Sequence, residues 1–344
     1  FGSRFSSVSR GPGRAAWGMM AWGWGGSPLE RTPLSDLLHR NRHTVTEIRA
    51  ELESSGESLP IWADEVWLLR YALSFHEESP SVAAAAALRA LRWRRDNSAL
   101  VEAATRRQPP TEFTDTELRA IQLFFVAAFH NASSFGDPIF VSHGAACNLK
   151  ALMDAVSEEK MELWFNYVNE CAWLYCEAAT RKRGFLVKQI NIQDVTSAPL
   201  RQEMRFLRAI GKSSTTNEWL RPQLVGKTYI LNPPKIMNWA IGVARNFMNK
   251  RSIEKLELHR AFVPPTAGAA GAELCPFAKR LLSDGAAPPN LGAGSGSRAR
   301  AEELRGGASP GQSHGQRFEP TVLALLPWPA SVAASAPRAA PMVE

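Results

Sequence analysis

Pro222-Gln223-Leu224-Val225-Gly226-Lys227-Thr228-Tyr229-Ile230-Leu231-Asn232-Pro233-Pro234 holds a strand signal followed by a stop. Lys227 to Leu231 reads as a strand, and Asn232-Pro233-Pro234 ends it because proline gives no N–H to a ladder. A helix is expected directly afterwards, from Lys235 to Met248, with a short one near Ser252 to Lys255 and a strand at Leu256-Glu257-Leu258. Strand, helix and strand in that order imply parallel neighbours joined by a crossover.

The same alternation extends upstream. In Phe185 to Asp194, Lys188, Ile190 and Ile192 point one way, and Gln189, Asn191 and Gln193 point the other. A helix from about Pro199 to Ile210 follows this strand. Ser157 to Thr180 reads as a long helix, apolar nearly all round through Met161, Trp164, Phe165, Val168, Cys171 and Tyr175. Such a helix is buried on more than one side. Phe125 to His130 and Pro138 to Ser142 read as strands on either side of a turn-rich connector containing Gly136.

From Thr32 to about Asn97 the pattern is helical, with Pro33 expected just inside the first helix. Trp62, Val66, Leu69 and Leu73 recur at helical spacing. Ser79-Pro80 opens a new helix, and its Ala83 to Trp93 run has high helix propensity. That helix ends in Arg92, Arg94 and Arg95, cations suited to a helix C-terminus. The expected organisation is a disordered or targeting leader at 1–31, an N-terminal helical region at 32–110, the α/β domain at 111–292 and a disordered Ala/Gly/Pro/Ser-rich tail at 293–344.

Of the 344 residues 45% are apolar, ample for a core, yet no apolar run approaches the roughly 18 residues of a membrane-spanning helix. The net charge of +7 slightly favours anionic partners, but no RNP, KH or zinc-finger pattern accompanies it, so no nucleic acid is expected. Cys147, Cys171, Cys176 and Cys275 form no CxxC pair and read as reduced, mostly buried thiols of a cytoplasmic protein. Gly211-Lys212-Ser213 lacks the earlier glycine of a phosphate-binding loop, since Phe206 stands there. His39 and His43 have no third ligand nearby in sequence, and His143 has no identified nucleophile or acid beside it. No catalytic constellation or cofactor motif emerges, so no enzyme and no cofactor are expected.

An ordered series of segments resembles the CRAL-TRIO lipid-binding family, which includes proteins of the phosphatidylinositol-transfer, retinaldehyde-binding and tocopherol-transfer type. Leu68-Leu69-Arg70-Tyr71-Ala72-Leu73 followed by Leu91-Arg92-Trp93-Arg94-Arg95 is similar to its helical lead-in. Gly136 to Val141 resembles its "GRPV" strand, and Gly184 to Asp194 its glycine-led central strand. Pro222 to Pro234 is close to its "YPE-x-x-G-K-x-Y-I-I-N-A-P". The resemblance runs over about 62–292, in order and in spacing.

The resemblance implies a small N-terminal helical subdomain, then a mixed, largely parallel sheet flanked by helices, enclosing an apolar pocket closed by a helical gate. Pocket and gate would draw on Ile236, Met237, Trp239, Ala240, Ile241, Val243, Ala244, Phe247 and Met248, which form a wide apolar face at helical spacing. Arg245, Lys250 and Arg251 would meet an anionic membrane surface. Lys255 matches the family's inositol-phosphate lysine, while Gln223 and Leu224 fall on its neighbouring charged positions, so most of that charge is lost. Gln189 and Asn191 fall on the family's phosphocholine-contacting positions. Lys255, Gln189, Asn191 and Gln223 are therefore the expected headgroup contacts. The expectation is a monomer that binds a phospholipid or other hydrophobic ligand in an internal cavity, carries or presents it between membranes, and touches the membrane surface transiently as a peripheral protein. A regulatory protein-interaction module with incidental lipid binding is the alternative.

Overall fold

The structure is a computed structural model that describes residues 31–133, 135–196, 203–234 and 254–259. Helices α1 (Leu34–Arg40), α2 (Arg42–Ser54), α3 (Glu65–Ser74), α4 (Pro80–Asp96), α5 (Ser98–Arg106) and α6 (Asp115–Phe124) come first. Strands β1 (Ala127–Ala132) and β2 (Pro138–His143) follow, then α7 (Leu149–Ala155), α8 (Glu158–Arg183), β3 (Gln189–Asp194), α9 (Met204–Leu220), β4 (Val225–Leu231) and β5 (Leu256–His259).

The strands lie in one sheet in the order β1-β2-β3-β4-β5. Only β1 and β2 are antiparallel; β2, β3, β4 and β5 run parallel to their neighbours. This is the mixed, largely parallel α/β arrangement expected from the alternating strands and helices. Short parallel neighbours in sequential order require each crossover helix to return along the sheet, which α8 and α9 do.

Local chemistry explains the boundaries. Ser157 caps α8 by accepting from the Lys160 N–H, and Glu158 and Glu159 occupy its first turn. Arg181, Lys182 and Arg183 occupy its last turn, and Gly184 stops it with φ 72°, a backbone state that costs glycine little. Thr114 and Glu117 form a reciprocal capping box at the start of α6. Pro33 sits one residue outside α1, at its N-cap, and forms a bridge with Phe185. Its fixed φ suits the cap as well as the first turn.

The helix expected to end near Ile210 continues to Leu220. Gly211 costs a helix only about 1 kcal/mol relative to alanine. Buried Phe206, Ala209, Ser213 and Leu220 outweigh that, and the Ser213 hydroxyl bonds Asn166 and Asn169 of α8. Gly211-Lys212-Ser213 is therefore helix interior, with no loop to cradle a phosphate.

The main core lies between α8 and the helices around it. α8 packs on α5 and α9, and α4 packs on α2, α3 and α9. Ile48, Leu68, Ala87, Met161, Tyr167, Cys171, Ala172 and Cys176 are fully buried there. Burial pushes the Cys171 and Cys176 thiols up, and the Cys147 thiol to about 11, so all three are inert at neutral pH. Cys275 lies outside the described residues.

Candidate functional site

Parallel register assigns each strand residue to a face. Ile139, Ile190 and Lys227 lie level on one face, followed by Val141, Ile192, Tyr229 and Glu257. Phe140, Asn191, Thr228 and Leu256 lie level on the other, followed by Ser142, Gln193, Ile230 and Leu258. The two faces differ in burial. Ile139, Val141, Ile190, Ile192 and Tyr229 are at most 4% exposed. On the second face Phe140, Ser142, Asn191, Gln193, Thr228, Leu256 and Leu258 are only half-buried, whereas Phe129, Gln189 and Ile230 are buried.

A parallel sheet covered by apolar packing on both sides has strands that read as nearly continuous apolar runs. β3 instead alternates isoleucine with amide. Its second face thus combines apolar side chains with hydrogen-bonding ones. Gln189 Nε2 donates to Asn191 Oδ1 at 2.5 Å, and Asn191 Nδ2 donates to Thr228 Oγ1 at 3.4 Å. The Gln189 oxygen Oε1 is buried and has no hydrogen-bond partner among the described residues.

Gln223 and Lys255 belong to a second polar group, at the edge where β3 and β4 begin. Gln223 adopts φ 61° in the turn before β4. Its side chain accepts from Lys188 Nζ at 2.5 Å and donates to Ser74 Oγ at 3.1 Å, while its carbonyl accepts from Arg70 at 3.3 Å. The Lys255 carbonyl accepts the Thr228 N–H at 2.8 Å, which brings Lys255 beside β4. Burial, then the charges of Lys255 and Arg70, lower the Lys188 pKa to about 7. Gly226 makes room for this lysine, since a Cβ there would lie 3.0 Å from Lys188 Cβ. The four expected headgroup residues therefore divide into two pairs, Gln189 with Asn191 on the sheet face and Gln223 with Lys255 near Lys188. The pairs adjoin through the Gln189 N–H, which donates to the Leu224 carbonyl at 2.7 Å.

Two buried ionic clusters hold the helices against this edge. Arg70 on α3 pairs with Glu177 on α8 and also donates to Thr180 Oγ1, Cys176 O and Val187 O. Two turns back along α8, Glu170 pairs with both Arg94 of α4 and Arg221 after α9. Arg221 also donates to Asn166 and Asn217. Neither cluster is visible in sequence, because partners 51 to 107 residues apart meet only after folding.

At the opposite edge of the sheet His143 Nδ1 lies 3.6 Å from Asp194 Oδ2, a pairing set by parallel register between the ends of β2 and β3. Asp194 also accepts the Thr196 N–H, and Thr196 Oγ1 accepts from Asn232. His143 thus has the acidic partner that sequence alone did not reveal. No serine or cysteine nucleophile is hydrogen-bonded to it among the described residues. His39 and His43 lie on different helices, α1 and α2, and His43 pairs with Glu47. Among the described residues no group of three metal-ligating side chains forms, and no helix is long and apolar enough to cross a membrane. The expected pocket and gate residues Ile236, Met237, Trp239, Ala240, Ile241, Val243, Ala244, Phe247 and Met248, and the expected membrane contacts Arg245, Lys250 and Arg251, lie outside the described residues.

Residues 126–263 match the model of the CRAL/TRIO domain family. The Sec14 cytosolic factor of Schizosaccharomyces pombe is 23% identical over 146 residues, which are 41% of this chain and 50% of that protein. The SEC14 cytosolic factor of Kluyveromyces lactis is 20% identical over 153 residues, 42% of this chain and 49% of that protein. The chain thus spans about half the length of these curated relatives. The crystal structure of Sfh5 aligns at a TM-score of 0.37 and 12% identity, covering 56% of this chain and 63% of that one. Residues 126–263, which contain the sheet described above, are thus the part of the chain that is similar to the CRAL/TRIO domain family.

Proposed function

We propose that the half-buried face of the sheet is the floor of an apolar cavity in which the chain binds one lipid and carries it between membranes. The observation that carries this reading is the contrast between faces: fully buried isoleucines on one side, half-buried Phe140, Leu256 and Leu258 interleaved with Asn191, Gln193 and Thr228 on the other. The match of residues 126–263 to the CRAL/TRIO domain supports the same reading, and the words "cytosolic factor" in both relatives' names agree with action from the cytosol.

The physics of such a carrier needs no bond breaking. Each buried CH₂ contributes about 0.8 kcal/mol, so a dry hollow competes with a bilayer for an acyl or isoprenoid chain. The polar end needs partners, because an unpaired polar group in an apolar site is penalised. Gln189 and Asn191 would supply them on the floor, and Gln223 and Lys255 at the strand-entry edge. With glutamine and leucine at 223 and 224, this edge lacks the two charged side chains that the resemblance places there in a phosphoinositide site. A phospholipid of another head type, or a neutral hydrophobe, fits better.

The test is capture from vesicles. The full chain is incubated with phosphatidylcholine vesicles holding a trace of fluorescent phosphatidylcholine or, separately, a fluorescent sterol, and is then re-isolated. One of the two probes is expected to saturate near one per chain, and Asn191→Leu is expected to reduce its capture several-fold. Capture of neither probe above that of an unrelated protein contradicts the proposal.

A further inference from the structure

A second set of buried polar atoms lies away from the sheet, between α3, α4 and α8. The Trp67 indole Nε1, the Tyr71 hydroxyl and the Arg94 Nε and Nη2 are all buried, and none has a hydrogen-bond partner among the described residues. Ring contacts join the residues that carry them into one cluster. The Trp67 and Tyr71 rings, one turn apart on α3, stand 4.6 Å apart, and Trp62 meets Trp67 edge-on at 5.6 Å. The Arg94 guanidinium lies 5.6 Å from the Trp62 ring and 5.9 Å from the Trp173 ring. Of the charges acting on the Tyr71 hydroxyl, that of Arg94 acts most strongly.

Both the hydrogen-bonding and the charge are one-sided. Indole and guanidinium N–H groups can only donate, so three of these four atoms require an acceptor. Glu170 alone serves both Arg94 and Arg221, while Arg70 has Glu177. Three buried guanidiniums therefore face two carboxylates. A water molecule would satisfy part of the donor set and none of the charge, whereas an anion answers both.

We propose that this cluster of unpartnered donors binds one small monovalent anion such as chloride, accepting from Arg94, Tyr71 and Trp67 and fastening α3 and α4 to α8. The half-buried Trp62, next to the fully exposed Ile61, is the side nearest solvent. The site is separate from the sheet face and does not depend on lipid binding.

The experiment follows thermal unfolding of the full chain in sodium chloride against sodium gluconate at matched ionic strength. The midpoint is expected to rise with chloride and to saturate, as for any ligand bound only by the folded state. Bromide is expected to substitute, giving an anomalous peak within hydrogen-bond distance of Arg94 Nη2 in a crystal. Tyr71→Phe and Trp67→Phe each remove one donor group and leave the ion pairs in place. Each is expected to raise the half-saturating chloride concentration by about tenfold, the effect of one hydrogen bond to a charged group. If either variant fails to fold, the other variant and the wild-type salt comparison still decide. Equal midpoints in chloride and gluconate, or an ordered water in place of bromide, overturn the proposal.

Discussion

Arg70 and Glu177, 107 residues apart in sequence, form a buried ion pair that joins α3 to α8, and the same guanidinium holds the carbonyl of Gln223 at the entry to β4. One side chain thus links the N-terminal helices, the long central helix and the turn bearing an expected headgroup residue. Removing one partner of a buried pair strands the other charge and typically costs 3–5 kcal/mol. Arg70→Leu is expected to cost about that much in urea unfolding, and the Arg70→Leu, Glu177→Leu double variant is expected to recover part of it. Equal stability of the single variant and the wild type would show that the pair contributes nothing.

Lys188 gives the fold a pH dependence of definite sign. Its folded-state pKa of about 7 lies below its ordinary value of 10.5, so the unfolded chain binds more protons between those limits. Its destabilising contribution is fully present below pH 7 and fades as pH rises toward 10.5. Wild-type stability relative to Lys188→Met is therefore expected to improve from pH 7 to pH 10, read from urea midpoints of both proteins. A difference that stays constant over that range would contradict the assignment.

Gly184→Ala tests the end of α8. No atom lies within 4 Å of the added methyl, so only the positive φ resists it. A loss of about 1 kcal/mol in unfolding free energy is expected, with lipid capture unchanged. A larger loss would mean that Gly184 also serves packing.

Gln189→Met separates binding from stability. It removes a buried amide oxygen that has no partner, together with one hydrogen bond to Asn191. These terms nearly offset, so the unfolding free energy is expected to change by less than about 1 kcal/mol. Capture of a polar-headed lipid is nonetheless expected to fall several-fold. A large drop in stability with unchanged capture would make Gln189 a packing residue.

The architecture was legible where a local pattern sufficed. The isoleucine–amide alternation of Gln189 to Asp194 placed β3 and sorted its faces, and Asn232-Pro233-Pro234 set the end of β4. Gly211 misled because its small local cost is overridden by the burial of Phe206, Ala209, Ser213 and Leu220. The site was legible only in part. Lys188 read as one member of an alternating strand; its contact with Gln223 depends on a turn at φ 61° that no local propensity announces. His143 found Asp194 through strand register, and Glu170 gathered one arginine from α4 and one from the turn after α9. Such long-range polar pairings have no sequence period to give them away.

Native mass spectrometry of the full chain, purified without added lipid, tests the central claim most directly. The proposed floor of Phe140, Asn191, Thr228 and Leu258 predicts a single co-purifying lipid at close to one per chain, released on denaturation and identifiable by its mass. A bare chain mass throughout, with no adduct after exposure to a mixed-lipid bilayer, would contradict it.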